Sequence, residues 1–408
     1  MERNWAGNHA YGARELHRPA TLEELQELVA SSSRIRVLGT RHSFNAIADS
    51  EALVSLERLP ADVTADREAG AISLPGGMSY GALAPHLERH GLALANLASL
   101  PHISVAGAVA TATHGSGDRN GNLATAVRAI ELVTSDGELR TVRRGDPGFD
   151  GHVVALGALG AVVRLELDAE PAYEVRQEVF EGLAWGTLLE HLDEIFASAY
   201  AVSVFSRWGE AVDQVWLKQR GEATRAELFD ARAASEDRHP ILGNDPIHAT
   251  PQLGVPGPWA QRLPHFRLEF TPSNGEELQS EYLVPRRHAA AAVEALLAVA
   301  AAIRGPLLVS ELRTVAADEL WLSPQHAGPT LGIHFTWARE PERVEAAMAV
   351  VERALEPFEP RPHWGKLFLT GRDELAARYP KLPEFQALAS RLDPRGAFRN
   401  AWLEDLIL

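Results

Sequence analysis

Residues 96–117 read NLASLPHISVAGAVATATHGSG, with no Asp, Glu, Lys or Arg among them. Ser99, Ser104, Thr111, Thr113 and Ser116 alternate with Gly107, Gly115, Gly117 and several alanines. Small residues let backbone amides come close to a ligand, and glycine tolerates the turns this requires. The hydroxyls add further donors. A phosphate or pyrophosphate suits such a concavity, since each hydrogen bond to a charged oxygen contributes roughly 1.5–3 kcal/mol net. A tightly packed loop of small residues has the same composition, so this stretch alone leaves both readings open.

A second stretch lies about sixty residues upstream. Residues 36–45, RVLGTRHSFN, follow a helix, open with a short apolar strand over 35–38 and turn at Gly39 into a polar run with His42 and Ser43. A strand entering a Gly-containing turn is a general nucleotide-loop signal, and one glycine is weak evidence for it. The pair is more specific. LGTRHSF followed by SLPHISVAGAVATATHGSG resembles the FAD-binding domain of the vanillyl-alcohol oxidase superfamily, and within it the alditol oxidases (the xylitol and sorbitol oxidase group). The likeness runs from residues 4–11 to the C-terminus.

The whole-chain numbers agree with that resemblance. At 408 residues the chain exceeds the usual size of one core, so two domains are expected. Its 46% apolar and 23% charged content is ordinary for a globular protein. A net charge of −16 disfavours a nucleic-acid or anionic-membrane partner. There is no cysteine, which excludes disulfides, iron–sulfur clusters and a cysteinyl flavin link. No apolar signal core opens the sequence and no long apolar run follows, so a cytoplasmic protein is expected.

Along the chain, Thr21 with Glu24 forms a capping-box signature for a helix over 21–31, leading into the strand at 35–38. Strands are expected at 52–56 and 71–74, and a helix at 80–90 ended by Gly91. Residues 126–134 and 139–142 read as a hairpin around Asp136-Gly137, and 161–167 as a further strand. Beyond about residue 173 the pattern changes. In 265–270, His265, Arg267 and Glu269 alternate with Phe266, Leu268 and Phe270. Glu311 and Arg313 alternate with Ser310, Leu312 and Thr314; His334 and Thr336 alternate with Ile333, Phe335 and Trp337. Residues i and i+2 of a strand share a face about 7 Å apart, so each strand has one polar side. Helices at 285–303 and 341–358, each with Pro near its start, fill the gaps. The expectation is an antiparallel sheet with its apolar face on two helices. Its polar face is either wet or the roof of a sugar site. Residues 251–264, rich in Pro and Gly, read as an extended connection, and 223–238 as a surface excursion. Residues 381–402 read as a terminal helix and the DPRGAF turn before an extended end.

The resemblance implies an α+β, two-domain fold of vanillyl-alcohol-oxidase type: an FAD-binding domain over 1–171, an antiparallel-sheet substrate domain over 172–368 flanked by helices, and a C-terminal segment over 369–408 packing back near the flavin. It implies FAD attached covalently through His42, whose neutral imidazole can act as nucleophile toward the flavin's 8α-methyl group. Where the family often has Gly before this histidine, this chain has Arg41, which a left-handed backbone would strain. By resemblance Gly39, Thr40, Arg41 and Ser43 line one side of the cofactor. Ser99, Ser104, Gly107, Thr113, His114 and Gly115 line the other, with His363 nearby and Gly160 and Val162 at the adenine end. The substrate residues implied are Ser99, Glu311, Arg313, His334, Thr336 and Lys366. Arg313, Lys366 and His334 would carry the chemistry, and no metal is implied.

These residue types suit a polyol, which offers a donor and an acceptor at every carbon. The activity implied is FAD-dependent oxidation of the C1 hydroxyl of xylitol- or sorbitol-like alditols by O2, giving the aldose and hydrogen peroxide. A sugar-1,4-lactone (aldonolactone) oxidase or dehydrogenase is the alternative, since that group shares the HWGK-like ending. A catalytically silent flavin- or sugar-binding protein is a third reading. A monomer or small homo-oligomer fits all three.

Overall fold

The computed structural model describes residues 2–221, 225, 227–269 and 277–408. Among the described residues the first 171 build three small sheets, one of them only the antiparallel pair Leu92–Ala93 and Glu170–Pro171. Glu15–His17, Ala52–Val54 and Arg36–Val37 form a parallel three-stranded sheet with Ala52–Val54 in the centre. The helix Leu22–Ser31 connects its first two strands in sequence, and Thr21 caps it by accepting from the Glu24 amide. Thr64–Asp66, Ala71–Pro75, Ala161–Asp168, Val127–Val133 and Leu139–Arg143 form, in that spatial order, an antiparallel five-stranded sheet. The helix Tyr80–Arg89 ends before Gly91, which takes φ 64°. The stretch 96–117 contains a short helix, Val105–Ala110, that its small residues did not announce.

The later part is dominated by one nine-stranded antiparallel sheet. At its centre Ala201–Ser206, Leu307–Val315, Thr330–Ala338 and Glu277–Pro285 lie side by side. Ala289–Ile303 and Pro341–Leu355 pack on one face, where Tyr282, Leu312, Ile333, Phe335, Leu296 and Val351 form a buried core. The expected two-sided pattern is present, but the polar side is not wet. Thr330–Ala338 is buried at every position but its last.

Several expectations are corrected. Residues 265–270 do not form a strand: within the described residues only Phe266 bridges, to Ala249, while Leu268 and Glu269 are exposed in a turn. Phe270 lies outside the described residues, as do 223, 224 and 226 of the excursion read at 223–238. The missing roof strand is Glu277–Pro285, whose alternation the Pro285 helix start had masked. Residues 251–264 are extended only in part, with Gly257–Pro258 pairing at the edge strand Glu174–Glu181 and a 3-10 turn at Trp259–Gln261. The chain ends in a helix, Ala401–Leu406, capped by Asn400, not in an extended tail.

That C-terminal region returns to the first sheet. The Ile35 amide donates to Ala397 O at 2.8 Å, and the buried Arg36 guanidinium donates to Phe398 O at 2.6 Å. Phe44 N donates to Gly365 O at 2.8 Å, while Asn45 Nδ2 holds the carbonyls of Trp364 and Lys366. Through these bonds the loop after Arg36–Val37 is fixed against residues 364–366.

Candidate active site

A cavity of about 690 Å³ separates the nucleotide-type loops from the nine-stranded sheet, a size within the usual range for ligand sites. One wall is residues 38–44. The amides of residues 39–43 donate to no acceptor among the described residues, whereas those of Leu38 and Phe44 on either side are paired. Successive amides without an acceptor, in a loop that lines a cavity, suit an anionic ligand. Arg41 sits in it at φ 65°, a left-handed conformation that costs a non-glycine residue roughly 1–2 kcal/mol. Its carbonyl accepts from Trp5 N at 2.8 Å, and its guanidinium pairs with Glu2.

The second loop closes on the first through Ser104. Ser104 N donates to Thr40 Oγ1 at 2.9 Å. A Cβ on Gly39 would come within 2.5 Å of Ser104 Oγ, and one on Gly107 within 2.6 Å, so a larger residue at either position would force the Ser104 hydroxyl to turn. His42 stacks on Trp5 at 5.5 Å, with Nδ1 3.1 Å from Thr40 Oγ1. Burial, reinforced by the His102 and Arg41 charges, lowers the His42 pKa to about 4 and keeps the ring neutral near pH 7.

The opposite wall is made by side chains. In register across three strands, Glu311 faces His334, which faces Glu281; one row along, Thr336 faces Gln279. Glu281 is the hub. It accepts from Lys366 Nζ at 2.6 Å and from Arg313 Nη2 at 2.8 Å, and His114 Nε2 lies 3.2 Å away. Burial alone would raise its pKa, but Lys366, Arg313 and His114 outweigh it and hold the carboxylate ionised. Lys366 also donates to His334 Nδ1 at 2.8 Å, and His334 Nε2 lies 2.9 Å from Thr336 Oγ1. Burial and the Lys366 charge push the His334 imidazole well below its ordinary value. Burial also lowers Lys366, against the pull of Glu281. Arg313 Nη1 donates to Ser99 Oγ at 3.3 Å, and Arg313 Nε is 3.5 Å from Glu311 Oε2.

The cavity thus gathers Gly39, Thr40, Arg41, His42, Ser43, Ser99, Ser104, Gly107, Thr113 and His114 with Glu311, Arg313, His334, Thr336, His363 and Lys366. Gly115 is placed elsewhere: its Cβ would strike Asn96 Oδ1 and Leu97 O at 2.3 Å, which makes it a packing glycine. Gly160 and Val162 line a small neighbouring cavity of about 30 Å³, which shares Ala110 and Gly157 with the large one. His114 lines the cavity from the loop side and also reaches the charged wall, its Nε2 lying 3.2 Å from Glu281 Oε1.

Sequence reading missed Glu281, Gln279 and Lys218. The signal was there for the first two: in ELQSEYLVP, Gln279 and Glu281 alternate with Leu278, Ser280 and Tyr282 as a strand would have it. Among the described residues no group of His, Cys, Asp and Glu is arranged to hold a metal ion.

The residues present fit FAD. A free-amide loop and a small-residue loop suit a pyrophosphate, and a neutral half-buried imidazole, His42, lines the same cavity. Comparisons with known proteins agree. Residues 14–143 match an FAD binding domain, and residues 273–406 match the D-arabinono-1,4-lactone oxidase family. The chain is 49% identical to the alditol oxidase of a Streptomyces species over 409 residues, covering 99% of this chain and 98% of that one. It is 27% identical to the L-gulono-1,4-lactone dehydrogenase of Mycobacterium tuberculosis, over 97% of this chain and 96% of that protein. The crystal structure of a cholesterol oxidase from B. sterolicum superimposes with a TM-score of 0.79 over 100% of this chain and 96% of that chain, at 16% identity. That likeness establishes the fold.

Proposed function

The chain belongs to the alditol oxidase family, and on that premise we propose that it oxidises the terminal C1 hydroxyl of alditols such as xylitol or sorbitol, with FAD as cofactor and O2 as acceptor, to the aldose and hydrogen peroxide. The observation that carries the reading is that one cavity holds the free-amide loop on one side and the charged wall of Glu281, Glu311, Arg313, His334 and Lys366 on the other. When bound, FAD supplies the two-electron acceptor for the C1 hydride and passes the electrons to O2.

The protein residues do the rest. Glu311, Ser99 and Thr336 are placed to hold hydroxyls of a linear polyol, and such buried partners discriminate against ligands lacking a matching hydroxyl by up to roughly 10⁴-fold. Arg313, kept cationic by Glu311 and Glu281 despite burial, stabilises developing negative charge on the C1 oxygen. His334, kept neutral by burial and the Lys366 charge, is the base: its Nδ1 takes the hydroxyl proton in place of the Lys366 N–H it otherwise accepts, and Lys366, paired with Glu281, is a second cation beside the developing alkoxide. General-base help of this kind contributes roughly 10²–10⁴-fold.

The covalent link through His42 is part of the proposal. Its support is a neutral imidazole held by Trp5 and Thr40 at the junction of the two loops. The test is whether acid-denatured protein stays yellow and a peptide containing His42 carries the flavin mass; complete release of FAD would contradict it. The acidic net charge supports a partner set of polyol and O2 without nucleic acid or an anionic membrane. A cytoplasmic monomer or small homo-oligomer belongs to the same reading. Among the described residues no helix is long and apolar enough to cross a membrane.

The match to the lactone oxidase family keeps one rival in view. Steady-state oxygen uptake with xylitol and sorbitol against gulono- and galactono-1,4-lactone decides between them. Faster uptake with the alditols, with peroxide formed in step, is expected; preference for the lactones would replace the proposal.

A further inference from the structure

Lys218 and His265 stand behind the charged wall and have no part in the roles given above. Lys218 lies on the strand Gln214–Arg220 and is 2% exposed. Its Nζ donates to Leu263 O at 2.5 Å, to Pro264 O at 3.1 Å and to His265 Nδ1 at 3.2 Å. Burial lowers the Lys218 pKa to about 7, so at pH 6 it is an ammonium; with three protons and no lone pair, it is matched one for one by these three acceptors. His265 Nδ1 therefore accepts, and a neutral ring then carries its proton on Nε2. That nitrogen lies 2.8 Å from Glu311 Oε1, to which it donates. The ring plane is fixed by the edges of Phe205 and Trp216, each with its centroid 5.4 Å away. Burial and the Lys218 charge lower the imidazole pKa to about 4, so the ring is neutral near pH 7.

Glu311 is consequently held by one oxygen. Its other oxygen, Oε2, is 3.5 Å from Arg313 Nε, and the residue lines the cavity. We propose that Lys218 and His265 form a positioning pair: Lys218 fixes the tautomer of His265, and His265 anchors Glu311 Oε1 so that Oε2 stays available to a substrate hydroxyl. A carboxylate without that anchor can turn onto Arg313 and lose its free acceptor. The consequence for the substrate rests on the alditol reading above; the tautomer does not. If Lys218 merely latched residues 263–265, the identity of the group at 265 would affect stability and leave substrate affinity alone.

Two measurements test the pair. The first is nitrogen-15 NMR of the histidine-labelled, FAD-loaded protein at pH 6, where Lys218 is charged and His265 neutral, with the His265 signals assigned through His265→Gln. A neutral ring protonated on Nε2 is expected, and loss of that fixed tautomer in Lys218→Met. A ring protonated on Nδ1 or on both nitrogens would overturn the proposal. The second is steady-state kinetics with xylitol. His265→Leu and Lys218→Met are expected to lower kcat/KM roughly 30-fold or more, chiefly through KM, at unchanged flavin content. His265→Gln, which retains an acceptor and a donor, should recover to within roughly fivefold of the parent. Equal values for the Leu and Gln variants, or lowered thermal stability with unchanged KM, would make the contact a structural latch and overturn the proposal. Should His265→Leu fail to fold, Lys218→Met and the NMR of the unaltered protein still decide. If no alditol reduces the parent protein, the alditol reading fails while the NMR still judges the tautomer.

Discussion

The two walls of the cavity are built from different materials. The loop wall, residues 38–44 with 98–114, presents backbone: amides of 39–43 without partners among the described residues, and glycines at 39 and 107 that let the loops meet at Ser104. The sheet wall presents side chains, with two buried carboxylates set among Arg313, Lys366, His334 and His265. A backbone wall is contiguous in sequence and needs small residues. A side-chain wall is assembled across strands, and its charges must balance because each is out of water. Damage should therefore differ between the two: loss of chemistry or stability on the sheet side, modest backbone effects on the loop side.

The largest expected effect is on the sheet side. Lys366→Ala and Arg313→Ala should each slow flavin reduction by an alditol by roughly 10³-fold while the visible flavin spectrum is retained. Stopped-flow absorbance measures this, and unimpaired reduction in both variants would break the distinction between a chemical wall and a cofactor wall. Glu281→Gln comes next. It removes the carboxylate that Lys366, Arg313 and His114 share, leaving buried positive charge uncompensated, at a cost of about 3–5 kcal/mol. Urea unfolding of the holoprotein reads that loss; a variant as stable as the parent would remove Glu281 from the hub.

Acid sharpens the comparison further. His42 and His265 have pKa values lowered to about 4 from an unfolded value of 6.5, and His334 and His363 are lowered too, each chiefly by burial. Below pH 6.5 the unfolded chain takes up protons that the native rings refuse, so stability rises with pH in this range. Melting temperature should accordingly be high above pH 6.5 and fall steadily towards pH 4, followed by a further loss as the depressed carboxyls of Glu281 and Glu311 protonate. A flat profile between pH 6.5 and 4.5 would contradict the buried neutral rings. The smallest effect is Arg41→Gly. It relieves the left-handed backbone but adds freedom to the unfolded chain and removes an exposed pair with Glu2, so a change within about 1 kcal/mol is expected, with flavin retained. A loss of more than about 2 kcal/mol would mean that the loop wall depends on the Arg41 side chain.

This contrast also explains what could be read in the sequence. The loop wall was legible because LGTRHSF and the 96–117 stretch carry their geometry locally, and the left-handed backbone at Arg41 was foreseeable from a glycine pattern. Period-two alternation put Glu311, Arg313, His334 and Thr336 on polar strand faces, and the resemblance to the alditol oxidases made them candidates for a site. Glu281 carries the same alternation in ELQSEYLVP, but its role as the hub comes from lying beside His334 across the sheet and bonding Lys366, which no local pattern encodes. The 265–270 alternation misled for the converse reason: His265 reaches the cavity from an irregular segment held by Lys218, not from a strand. The helical C-terminus was missed although Asn400 supplies an N-cap, because DPRGAF read as the end of regular structure.

The most direct test of the whole account is an anaerobic titration of the purified yellow protein with xylitol, followed by admission of air. The account predicts that the flavin absorbance bleaches and then returns with one hydrogen peroxide per flavin. Absorbance unmoved by any polyol, in protein that holds its FAD, would contradict it.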